Sequence, residues 1–138
     1  MKTIDGSNLI LGRAASQIAK MLLQGEQVQL VNAEKMVILG NRHSLVERYQ
    51  QRRRLQNKGK PEHSPHWPRV PHMLVKRIIR GMLPWKKTRG REAFRRLRVY
   101  SGIPKDAQSA GSLDSAQFNK QSRSITVMEL CKHIGFNG

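Results

Sequence analysis

Positive charge in this chain of 138 residues is packed into its middle. Arg42, Arg48, Arg52, Arg53, Arg54, Lys58, Lys60, Arg69, Lys76, Arg77, Arg80, Lys86, Lys87, Arg89, Arg91, Arg95, Arg96 and Arg98 are eighteen of its twenty-six lysines and arginines. Only Glu47, Glu62 and Glu92 oppose them, so residues 42–98 carry a net +15, against +1 for residues 1–41 and +1 for residues 99–138. A solvated helical face would intersperse the signs, with glutamates paired to cations three or four residues away. Three glutamates do not neutralise eighteen cations. The segment repels itself unless a partner supplies negative charge, and a nucleic-acid backbone is the commonest supplier.

A chain of this length fits one domain, and a compact fold of that size buries roughly 68% of its unfolded surface. The hydrophobic share of 38% is low for such a fold, which suggests that one part packs conventionally while another is held against a partner. We expect a single domain over residues 1–138, with an α/β platform starting in 1–41, a basic RNA-binding region in 42–98, and a tail with a C-terminal helix in 99–138. No apolar run approaches the roughly 20 residues of a membrane span, and Met1–Asp5 lacks a signal-peptide apolar region. A membrane surface is a poor partner as well, because the basic helices need their apolar stripes for a core. The expected compartment is the cytoplasm, and a lone Cys131, which cannot form an internal disulfide, agrees with a reducing environment.

Lys2–Asp5 reads as a short strand and Asp5-Gly6-Ser7-Asn8 as a turn. Leu11, Ala14, Ala15, Ile18, Ala19, Leu22 and Leu23 recur at helical spacing, and Gly25 stands where that helix would stop. Gln27–Val31 alternates as a strand. Met36–Leu39 is a continuous apolar run of the kind buried in a parallel sheet. Asn41 can cap a helix through about Gln56 with the narrow stripe Leu45, Val46 and Tyr49. The three prolines and one glycine of residues 57–69 make a loop. Pro71 suits the first turn of a helix with Leu74, Val75, Ile78, Ile79 and Met82 on one face. A third helix is expected from Thr88 to about Leu97, then an extended Arg98–Tyr100. The Gly- and Ser-rich stretch from Ser101 to Ser124 is expected to wrap a surface. Thr126 to Glu129 has capping-box spacing, with Val127, Leu130, Cys131 and Ile134 placed to dock a last helix.

Several chemistries fail on spacing. Gly6 and Gly12 are separated by five residues and followed by Arg13-Ala14, which is not a phosphate loop, and the three-glycine dinucleotide fingerprint is absent. The two glycines are instead assigned to a turn at Gly6 and a close helix entry at Gly12. His63, His66, His72 and the Cys131/His133 pair do not supply the paired spacing of a closed zinc site. The nine carboxylates stand singly along the chain, against a metal-dependent nuclease. No cofactor, metal, catalytic residue or small-molecule substrate is expected. Aromatics are few, so contact with phosphates and RNA shape should dominate, led by arginine, whose planar fork binds phosphate in bidentate fashion. Trp67 and Trp85 are candidates for stacking; Tyr49 is better suited to the core.

Ile79-Arg-Gly-Met-Leu-Pro84, then Gly90-Arg91, then Leu97-Arg-Val-Tyr-Ser-Gly102 resemble the signature of the family of ribosomal protein thirteen of the large subunit. Asp5-Gly6, Leu11-Gly-Arg-Ala-Ala15, Val31-Asn-Ala-Glu-Lys35, Gly40-Asn41, Glu129-Leu130 and Gly135-Phe136 agree with it. Residues 80–90 look more like the archaeal and eukaryotic branch. The resemblance implies a three-layer α/β/α fold around a small parallel sheet, with basic helical extensions and an extended C-terminal tail. It also implies a non-enzymatic constituent of the large subunit, partnered by rRNA and neighbouring ribosomal proteins and supporting assembly and translation. A free-standing RNA-binding translational regulator is the alternative, and a nuclease a third.

Overall fold

The computed structural model describes residues 1–107 and 110–138. Its sheet has three parallel strands in the order β1 (Lys2–Asp5), β2 (Val28–Val31) and β4 (Leu97–Val99). Register places Ile4, Leu30 and Val99 side by side, all buried, next to the Val28 and Leu97 pair. Thr3, Gln29 and Arg98 share the opposite face. Because the order runs one way across the sheet, right-handed crossovers deliver the intervening helices to the apolar face.

The first crossover is α1 (Leu11–Leu23), which buries Leu11, Ala14, Ala15, Ile18, Ala19 and Leu22. It packs on α3 (Pro71–Gly81), α4 (Thr88–Arg95) and β2. Pro71 begins α3 at a position where a missing N–H costs nothing. The basic helix α2 (Arg42–Arg54) starts where Asn41 accepts the His43 N–H at 3.1 Å. It touches α5 (Val127–His133), whose own start is fixed by Thr126 accepting the Glu129 N–H at 3.3 Å. The result is a mixed α/β fold around a small parallel sheet, as expected.

Four details differ from the sequence reading. The Met36–Leu39 run does not join the parallel sheet: β3 (Val37–Leu39) pairs antiparallel with β5 (Ser124–Thr126), and Leu39 is exposed. An apolar run signals burial but not which strand comes to it, and here the partner returns from the far end of the chain. Leu97 opens β4 instead of closing α4. Met82 lies outside the core at 42% exposure, because α3 has already ended at Gly81. The tight glycine is Gly6, where a Cβ would sit 3.0 Å from both the Val31 carbonyl oxygen and the Met36 side chain, while Gly12 faces open space.

The tail does wrap the platform, and it does so by backbone pairing. Gly111 bonds to β1 in both directions, donating to the Thr3 carbonyl and accepting from the Asp5 N–H, each at 3.0 Å. Ala116 is fully buried and its carbonyl accepts the Ile10 N–H at 2.7 Å.

Candidate nucleic-acid interface

The elements that carry the eighteen cations are α2, the loop before α3, α3, the turn at residues 82–87, α4 and β4. None of the eighteen is buried. Arg42, Arg48, Arg54, Lys58, Lys60, Arg69, Lys86, Lys87, Arg89, Arg91, Arg95 and Arg98 are exposed, and Arg52, Arg53, Lys76, Arg77, Arg80 and Arg96 are half-buried.

The half-buried group does structural work that spacing did not reveal. Arg52 lies between two rings, 4.9 Å from the centre of Tyr49 and 4.8 Å from that of Trp67. Tyr49 and Trp67 meet edge to face at 6.0 Å. Arg77 approaches Trp67 from α3, at 4.4 Å, and donates to the His66 carbonyl at 2.6 Å; Arg53 donates to the carbonyl of Trp67. Three arginines on two helices thus fasten the proline-rich loop at Trp67. Cation–aromatic attraction of this kind is worth about 0.5–2 kcal/mol per contact. The signal available in the sequence was a lone tryptophan among prolines within an arginine-rich stretch, but its partners lie fifteen residues before it and ten after, at no helical spacing.

A second set holds α4 to the platform. Arg96 donates to the Leu22 carbonyl at 3.3 Å and Arg89 to the Leu23 carbonyl at 3.4 Å. These are end carbonyls of α1, at its negative pole, and that of Leu22 also accepts the Gly25 N–H at 3.2 Å. Gly90 lets α4 close onto the turn that precedes it: a Cβ there would lie 2.1 Å from the Pro84 carbonyl oxygen. Trp85, at 39% exposure, packs edge to face on Phe94 at 5.0 Å beneath Arg80.

Burial, and secondarily crowding by like charge, lowers the pKa of two of the arginines. Burial and then the neighbouring Arg69 lower the pKa of Arg53, and burial followed by Arg80 does the same at Arg77. The opposite pattern holds at the platform. Burial pushes the Asp5 carboxyl up, but hydrogen bonds from Asn32 Nδ2 at 2.9 Å and the Ser7 N–H at 3.0 Å, with Lys35 nearby, outweigh it and hold Asp5 below its ordinary value. Asn32 is itself in the left-handed region at φ 53°, and the Glu34 carboxylate accepts the Gly102 N–H at 3.0 Å. This knot ties the ends of β1, β2 and β4 together.

The histidines have dispersed roles. The His72 ring is 3.4 Å from Ser101 Oγ and the His133 ring 3.0 Å from Arg42 Nη2. Among the described residues no three His, Cys, Asp or Glu side chains gather where a metal could be held. Cys131 is fully buried and burial pushes its thiol up to about 12, so the thiolate that metals and electrophiles require is suppressed. Among the described residues no helix is long and apolar enough to cross a membrane.

The 79–102 segment therefore forms one unit of α3, a glycine-dependent turn, α4 and β4, and the 31–35 segment forms the knot beside it. The family model of ribosomal protein L13 matches residues 1–106, which contain both. The chain belongs to the ribosomal protein L13 family. Relatives of this family include the large ribosomal subunit protein uL13 of Archaeoglobus fulgidus, 44% identical over 98% of this chain and 88% of its own length. The proteins of the same name from Methanococcoides burtonii and Methanocaldococcus jannaschii are each 42% identical over 98% of both chains. These archaeal relatives agree with the branch suggested by residues 80–90. Of the three glycines in the L13-like segments of residues 79–102, Gly90 is the one whose place is explained by contact with the Pro84 backbone.

Proposed function

We propose that this chain is a structural, non-enzymatic constituent of the large ribosomal subunit in the cytoplasm, which binds and positions rRNA and supports subunit assembly and hence translation. Twelve exposed cations on one continuous stretch of chain, opposed by three glutamates, carry this reading. Names of the archaeal relatives support the ribosomal setting. The exposed cations contact phosphate, while Arg52, Arg53, Arg77, Arg89 and Arg96 also shape the surface that presents them. Arginine suits both tasks, because one edge of the guanidinium can hold a carbonyl or a ring while another faces phosphate. Neighbouring large-subunit proteins are its further partners, and exposed apolar residues such as Ile103, at 69% exposure, offer them contact.

The experiment is a salt titration of binding to a large-subunit rRNA fragment. If about six to eight phosphates are neutralised, affinity falls with a log–log slope of roughly −4 to −7. A slope near zero would contradict phosphate contact as the mechanism.

A further inference from the structure

Between α3, α4 and the loop before α3 lies an open cleft of about 420 Å³. Its floor is apolar: Trp67, Met73 and Phe94. Lys76, Arg77 and Arg80 stand around it. Met73 is 51% exposed although on the same helix Leu74, Val75 and Ile79 are buried and Ile78 is half-buried. The Arg77 guanidinium carbon is 4.4 Å from the centre of the Trp67 ring, and Lys76 Nζ is 5.2 Å from the centre of Phe94. The cleft thus combines apolar and aromatic surface with three cations.

Phosphate recognition alone explains the cations but not the floor. An aliphatic partner explains the floor but gains nothing from three cations at its edge. One occupant satisfies both, a planar apolar group joined to anionic groups. Extruded RNA bases stack on aromatic side chains and on arginine guanidinium planes while their phosphates meet basic residues, and the cleft volume is within the roughly 300–1,000 Å³ of small-ligand sites.

We propose that this cleft receives a single unstacked nucleotide of RNA, its base on Met73 and on the outer side of the Arg77 guanidinium that covers Trp67, and its flanking phosphates on Lys76 and Arg80. The inference rests on the RNA reading above and sharpens it, since it assigns to one site the recognition of a looped-out base where the rest of the face meets backbone.

The test uses the full chain and three RNA hairpins of one sequence: fully paired, with a single bulged fluorescent adenine analogue, and with an abasic residue in the same bulge. The base-bearing bulge should bind about tenfold tighter than the abasic one, as expected for one stacked base, and its fluorescence should change on binding. Met73→Gln, which removes apolar surface at an exposed position, should erase that preference while leaving affinity for the paired hairpin unchanged. Met82→Gln, exposed but outside the cleft, should preserve the preference. Equal affinity for all three hairpins overturns the nucleotide site and leaves the phosphate-contact reading intact, with an apolar side chain of another protein as the cleft's occupant. A preference that survives Met73→Gln also overturns it, because the base then binds elsewhere. Failure to bind any hairpin at low salt overturns the RNA reading and the inference with it.

Discussion

Helices α1 and α2 are both thirteen residues long, yet α1 buries six side chains and α2 only Leu45 and Tyr49. The first is fixed by the sheet beneath it. The second is fixed by its contact with α5, an asparagine cap and an arginine held between two rings. Hydrophobic burial scales with apolar area, so the platform has its own driving force for folding. Helix α2 folds with far less of it and uses polar and cationic contacts instead. The difference separates a helix held by apolar burial from one held mainly by polar and cationic contacts.

The largest contrast should appear in stability. Ile18→Ala removes a fully buried side chain from α1 and should cost about 2–5 kcal/mol, measured by urea unfolding. Arg48→Ala on the exposed face of α2 should cost no more than about 0.5 kcal/mol. Similar losses at the two sites would break the distinction between platform and basic region.

Next comes the turn that leads into α4. Gly90→Ala places a Cβ against the Pro84 carbonyl oxygen and should destabilise by about 1–3 kcal/mol, the range for forcing atoms into packed space. Protection of the α4 amides in hydrogen exchange should fall most, while that of the α1 amides changes least. An unaltered exchange pattern would mean that the turn at residues 84–90 does not need its glycine.

A smaller effect is expected at Arg52. Replacing it by glutamine removes a cation from two rings and should cost about 1–2 kcal/mol, with a change in Trp67 fluorescence. A null result would return Arg52 to the simple role of phosphate contact that its charge alone suggests.

The same division decides what could be read from the residues. Platform elements declare themselves locally: the stripe of α1, the strands at Lys2–Asp5 and Gln27–Val31, the Asn41 and Thr126 caps and Pro71 at the head of α3 all stand where spacing put them. The resemblance to the family gave the fold class in advance. What stayed hidden depends on pairs distant in the chain. Ser124–Thr126 reaching back to Val37–Leu39 has no local signal, and neither does Trp67 meeting Arg52 and Arg77. The charge pattern showed which stretch of chain carries the cations. It did not reveal that Arg53, Arg77, Arg89 and Arg96 hold carbonyl oxygens of the chain itself, because a positive residue shows its charge in the sequence but not its partner.

If the cations of residues 42–98 bind rRNA, their position and not net charge alone decides whether the chain joins the large subunit. Two triple charge reversals of equal size test it: Lys86, Lys87 and Arg95 to Glu on the basic face, and Lys2, Arg13 and Lys20 to Glu on the platform. All six residues are exposed, so circular dichroism should show both variants folded, each substitution costing within about 0.5 kcal/mol. Incorporation into large subunits, followed by gradient sedimentation, should be lost for the first variant, where attraction to phosphate becomes repulsion, and largely kept for the second. Equal incorporation of the two folded variants would contradict the claim.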